Sequence, residues 1–93
     1  MKIADHLGIG RENAKSLKTL QQEMGLDRDD ICRLIDAARR SGVPICDSIS
    51  SRPVFWLAKT RREMLEFCQE LERFEKMISK TRKICLKTLT AVE

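Results

Sequence analysis

Ser16-Leu17-Lys18-Thr19-Leu20-Gln21-Gln22-Glu23-Met24-Gly25-Leu26-Asp27-Arg28-Asp29-Asp30-Ile31-Cys32-Arg33-Leu34-Ile35-Asp36-Ala37-Ala38-Arg39-Arg40-Ser41-Gly42 is the stretch on which the fold turns. Leu17, Leu20 and Met24 recur at i, i+3 and i+7, the spacing of one buried helix face. Ser16 stands before them as an N-cap, and Gly25 follows as the left-handed residue that stops a helix. Asp27 then caps a second helix. Asp29 and Asp30 lie in its first turn, where negative charge suits the helix dipole. Ile31, Leu34, Ile35 and Ala38 give it an apolar stripe, Arg39 and Arg40 occupy its last turn, and Ser41-Gly42 ends it. Counted from Leu17, apolar residues fall at the fourth, eighth, tenth, fifteenth and eighteenth positions, with Gly25 at the ninth. That is the spacing of a helix-turn-helix, in which a glycine permits the sharp turn and apolar residues fix the angle between helices. Gln21, at the fifth position, stands where a small residue is usual.

Outward from this core, Val43-Pro44-Ile45-Cys46-Asp47 and Pro53-Val54-Phe55-Trp56-Leu57 are β-prone runs flanking the polar Ser48-Ile49-Ser50-Ser51-Arg52, a hairpin in pattern. A hairpin directly after a helix-turn-helix is a wing. One of Phe55 and Trp56 is expected to face the core. Towards the N-terminus, Ile3, Ala4 and Leu7 predict a short helix stopped by Gly8 or Gly10, and residues 11–15 a polar connection. Towards the C-terminus, Thr60-Arg61-Arg62-Glu63 is a capping box with Glu63 reaching back to its cap. No Gly or Pro follows it. Met64, Phe67, Leu71, Phe74, Ile78, Thr81, Cys85, Thr88 and Val92 alternate at spacings of three and four, a heptad stripe along a long helix. The compact part before it is too small to cover that length, so the stripe (Met64, Phe67, Leu71, Phe74, Ile78, Thr81 and Cys85) predicts a homodimer interface. The fold class expected is therefore mainly α with a small β-hairpin: a winged helix-turn-helix over 1–58 and a long C-terminal dimerisation helix over 59–93.

The chain has 93 residues and a net charge of +4, from 18 Lys and Arg against 14 Asp and Glu. No apolar run approaches the ~20 residues of a membrane span, and the opening residues do not form a signal peptide. A cytoplasmic globular domain is expected. Cys32, Cys46, Cys68 and Cys85 lack zinc-ligand spacing and read as buried free thiols. No metal or cofactor is called for. His6 has no nucleophile motif beside it. Glu63, Glu66, Glu70 and Glu72 are spaced as a solvated helix face, and Gly8-Ile9-Gly10 lacks the third glycine of a dinucleotide loop. The chain reads as no enzyme.

Gly10-Arg11-Glu12-Asn13-Ala14, Leu17 to Leu26, and Ala38-Arg39-Arg40-Ser41-Gly42-Val43-Pro44-Ile45-Cys46 together resemble small phage and bacterial winged-helix DNA-binding proteins, whose recognition helix ends in an Ala-x-Arg-x-Gly-x-Pro-Ile run before the wing. The resemblance covers about residues 3–57 and implies a transcriptional regulator. The hairpin departs from the pattern: in place of Gly-Gly or Gly-Tyr at its tip it carries Arg52-Pro53. With duplex DNA as partner, Arg28 and Arg33 are expected at base edges, since a guanidinium fork matches guanine O6 and N7. Arg39 and Arg40 are expected on phosphate, as are Lys15, Ser16 and Lys18, and Arg52 in the minor groove or on phosphate. The rival expectation is a protein partner, with the winged helix serving as an inhibitor of a host defence system, of anti-CRISPR type. The acidic Asp29 and Asp36 on the second helix favour it. An architectural or excision-type factor would use the same winged helix.

Overall fold

The computed structural model describes residues 2–89. It is mainly helical, with a small three-stranded antiparallel sheet and a long C-terminal helix. A 3₁₀ turn over Ile3–His6 and a second over Arg11–Asn13 lead into strand β1 (Lys15–Ser16), helix α1 (Leu17–Met24), helix α2 (Arg28–Arg40), strand β2 (Ile45–Asp47), strand β3 (Val54–Leu57) and helix α3 (Arg61–Lys87). The first apolar run thus folds as 3₁₀ rather than α, because four residues before Gly8 and Gly10 are too few for an α-helix to propagate.

The turn chemistry is as the sequence requires. Ser16 accepts the Thr19 N–H and Asp27 the Asp30 N–H, so each helix of the pair begins on a side-chain cap. Gly25 takes φ 65°, ψ 31°, and its N–H bonds to the carbonyl of Gln21. Leu20, Ile31 and Ile35 meet Ile3, Leu7, Leu17, Ile45 and Phe55 in the main core, with Met24, Leu26, Leu34 and Ala38 packed against it.

The sheet order is β1-β3-β2. Cys46 opposes Trp56 and Asp47 opposes Phe55 across the hairpin, while Lys15 opposes Phe55 and Ser16 opposes Val54 on the other side of β3. The two-residue strand β1 was not foreseen; Lys15-Ser16 is too short and polar to show alternation, and only the edge of β3 creates it. Both Phe55 and Trp56 are buried, where a single buried ring was expected. Neighbours on a strand point to opposite faces, and this sheet is covered on both. Phe55 joins the main core, and Trp56 joins Cys46 and Phe67 in a second cluster beneath α3.

Thr60 caps α3 by accepting the Glu63 N–H at 3.1 Å. The reciprocal half of the capping box differs from expectation. Glu63 Oε1 accepts from the Trp56 indole N–H at 2.7 Å and from the Lys59 N–H at 3.2 Å, not from Thr60. A buried indole donor needs an acceptor, and it takes the carboxylate. Beyond Phe74, which still walls a groove with α2 and the hairpin, α3 leaves the body of the protein. The radius of gyration of 16.2 Å exceeds the ~12 Å of a compact chain of this length, and the longest dimension is 50 Å. Leu71, Phe74, Met77, Ile78 and Ile84 are exposed along it. Val92, the last member of the predicted stripe, lies outside the described residues. Only Cys46 of the four cysteines is buried. Cys32, Cys68 and Cys85 are exposed, correcting the expectation of four buried thiols, because they sit on flanks of α2 and α3 that nothing covers.

Candidate nucleic-acid interface

The eight cations and caps proposed as DNA contacts separate into two groups. Five are engaged within the chain. Lys15 Nζ lies 2.8 Å from Glu23 Oε1, and this hydrogen bond and charge hold the Glu23 carboxyl below its ordinary range, with His6 adding to the effect. Ser16 caps α1 and also donates to Thr19 Oγ1. Arg33 stands 3.8 Å from Asp30, and Arg40 3.0 Å from Asp36, one turn away on the same helix. The outward face of α2 therefore cancels much of its own charge, which accounts for Asp36, a residue that capping does not explain.

Arg39 is the most firmly held. Its Nε donates to the Ile45 carbonyl at 3.0 Å and its Nη2 to Asp47 Oδ2 at 2.9 Å, while its guanidinium carbon lies 5.3 Å from the Phe67 ring centroid. It ties the end of α2 to β2 and to α3. Expected on phosphate, Arg39 has its Nε and Nη2 engaged within the chain. Asp47, which sequence reasoning missed, accepts the Ile49 N–H with its other oxygen at 2.6 Å and fixes the hairpin turn. An Asp that ends a β-prone run, two residues before the N–H it accepts, is the available signal, that of an Asx-turn.

The second group comes together. Lys18 on α1, Arg28 at the start of α2 and Arg52 on the hairpin line one open groove of about 490 Å³ with Ser16, Leu17, Gln21, Ser51 and Pro53. No carboxylate lines it. All three cations are exposed, and they form no ion pair among the described residues. Their convergence has a local cause: the Leu17 N–H bonds to the Pro53 carbonyl at 3.2 Å, which draws the base of the hairpin against the start of α1. The Ser48 hydroxyl accepts the Val54 N–H at 3.1 Å and closes the loop above it. Arg33 does not join this group. Five residues separate it from Arg28, about 140° around a helix of 3.6 residues per turn.

A larger groove of about 710 Å³ adjoins the basic one, sharing Ser51 and Pro53. It runs between α2 and the hairpin, with Ile35, Ile49, Phe55 and Phe74 supplying apolar walls and Cys32, Asp36, Arg39 and Asp47 the polar ones. Among the described residues no group of His, Cys, Asp or Glu is arranged to hold a metal ion, and no helix is long and apolar enough to cross a membrane. Comparison with protein-family models, curated proteins and solved structures finds no match for the chain.

Proposed function

We propose that the chain is a winged helix that binds double-stranded DNA, as a dimer, in the manner of small phage and bacterial transcriptional regulators. The observation that carries this reading is the meeting of three unpaired cations from α1, α2 and the hairpin at one carboxylate-free groove. A duplex backbone offers closely spaced phosphates, and a protein that neutralises them gains affinity from released counterions. Lys18, Arg28 and Arg52 are the phosphate and groove-edge contacts; Arg28, at the first turn of α2, is the one placed to reach a base edge. The strand order β1-β3-β2 about the α1–α2 pair, with the β2–β3 hairpin beside the second helix, supports the winged-helix assignment. The uncovered stripe of α3 supports the dimer.

The test is titration against duplex DNA at several salt concentrations. Replacing Lys18, Arg28 or Arg52 with Ala should each lower the slope of log affinity against log salt by about 0.9. Loss of Arg28 should in addition relax discrimination at one base position, by ~1–3 kcal/mol.

A second reading, a winged-helix scaffold for a protein partner, draws on the self-neutralised outer face of α2 and the apolar groove beside it. A complex that resists salt, with no enrichment of any duplex sequence, would favour it.

A further inference from the structure

We infer that two copies of the chain pair through α3 in antiparallel orientation, the last turns of each helix seating in a groove at the base of the other. The inference rests on the dimer part of the proposed function and is independent of the DNA part.

Three observations converge on it. The first is charge. Between residues 61 and 75, α3 carries Glu63, Glu66, Glu70, Glu72 and Glu75 against Arg61, Arg62 and Arg73; between 76 and 87 it carries Lys76, Lys80, Arg82, Lys83 and Lys87 and no acid. A parallel pair would set like against like along its whole length. An antiparallel pair sets the acidic half of each helix beside the basic half of the other. Glu70, Glu75, Lys80, Arg82, Lys83 and Lys87 form no ion pair within the chain among the described residues, so these charges are available across an interface.

The second is register. Leu71, Phe74, Ile78, Thr81 and Cys85 alternate as the two core positions of a heptad. In an antiparallel pair each such position faces the other kind, so Phe74 meets the partner's Ile78 and Leu71 meets the partner's Thr81. The crossing point then falls near residue 76, where the charge changes sign.

The third is a receptor of the right shape. That register places Cys85 over the hole formed by the partner's Met64, Phe67, Cys68 and Leu71, which are spaced i, i+3, i+4 and i+7 as a knob-into-hole contact needs. Those four residues already line a groove of about 420 Å³ whose far wall is Arg39, Gly42, Val43 and Pro44. Met64 and Phe67, assigned from the sequence to the dimer stripe, pack inside their own chain against Cys46 and Trp56. In this arrangement they floor the receptor rather than form a central layer.

The geometry brings Cys85 of one copy beside Cys68 of the other, and both thiols are exposed. The test is cross-linking of the full chain with a short bis-maleimide in a Cys32→Ser background, Cys46 being buried. An antiparallel dimer gives a cross-linked pair whose peptide map joins residue 68 to residue 85, and adding either C68S or C85S abolishes it. Links of 68 to 68 or 85 to 85, surviving in the single-thiol variants, overturn the antiparallel arrangement and leave the dimer intact. A monomer by sedimentation equilibrium across the working concentration range overturns the pairing together with the dimer reading. As a check that does not depend on cysteine, E70K/E72K/E75K should weaken dimerisation at least tenfold at low salt while keeping its helical content. An unchanged dimer constant would contradict the charge argument.

Discussion

Asp47 holds two neighbours at once, taking the Ile49 N–H on one carboxylate oxygen and the Arg39 guanidinium on the other. Ile49 sits at φ 47°, a left-handed conformation that a β-branched side chain rarely adopts. The Asx bond and the packing of Ile49 against the Cys46–Trp56 cluster hold it there. Arg39→Ala should therefore cost about 1–3 kcal/mol in urea unfolding, because Asp47 and the Ile45 carbonyl lose a partly buried charged partner. The same variant should leave the salt slope of DNA binding unchanged, which separates a positioning role from a phosphate contact. Cys46 gives a pH signature. Burial pushes its thiol from an ordinary 9.0 up to about 11, with Glu63 nearby adding to the effect. The unfolded thiol ionises first, so this group's stabilising contribution is fully present below pH 9.0 and is lost as pH rises towards about 11. Cys46→Ala should flatten that alkaline limb in unfolding titrations.

At the scale of elements, the helices announce their own limits, whereas the sheet depends on distant partners. Ser16, Gly25, Asp27 and Thr60 each act within a few residues, and local hydrogen-bond chemistry makes them legible. Gly25→Ala should cost about 1 kcal/mol, and the cost is conformational, since an added Cβ there meets nothing within 4 Å. Thr60→Ala should cost a similar ~1 kcal/mol through the lost cap of α3. Glu63→Ala should cost ~1–3 kcal/mol, because it leaves the Trp56 indole N–H buried without its acceptor. Strand β1 and the shared burial of Phe55 and Trp56 were not legible, for one reason. Both depend on which face of β3 each neighbour covers, and that is settled by chain segments far apart in sequence.

For the whole molecule, the same division governs the candidate site. Lys18, Arg28 and Arg52 were named from the sequence; Arg33 and Arg40 are set apart from them by acids on their own helix, whereas the pairing of Lys15 and Arg39 follows only from tertiary placement. A cation's partner can be an acid one turn away, as with Arg40 and Asp36, or across the hairpin, as with Arg39 and Asp47. The long helix was legible from its unbroken heptad stripe, of which Met64 and Phe67 pack within the chain while the part that protrudes beyond Phe74 is uncovered in a single copy. Duplex titration of the native chain and of K18A/R28A/R52A over a range of salt decides whether the three unpaired cations make a DNA-binding groove. A DNA-binding groove gives steep salt dependence for the native chain and a slope smaller by about 2.7 for the variant, at unchanged unfolding stability. Equal slopes for the two proteins, or native affinity for duplex that does not change with salt, would contradict it.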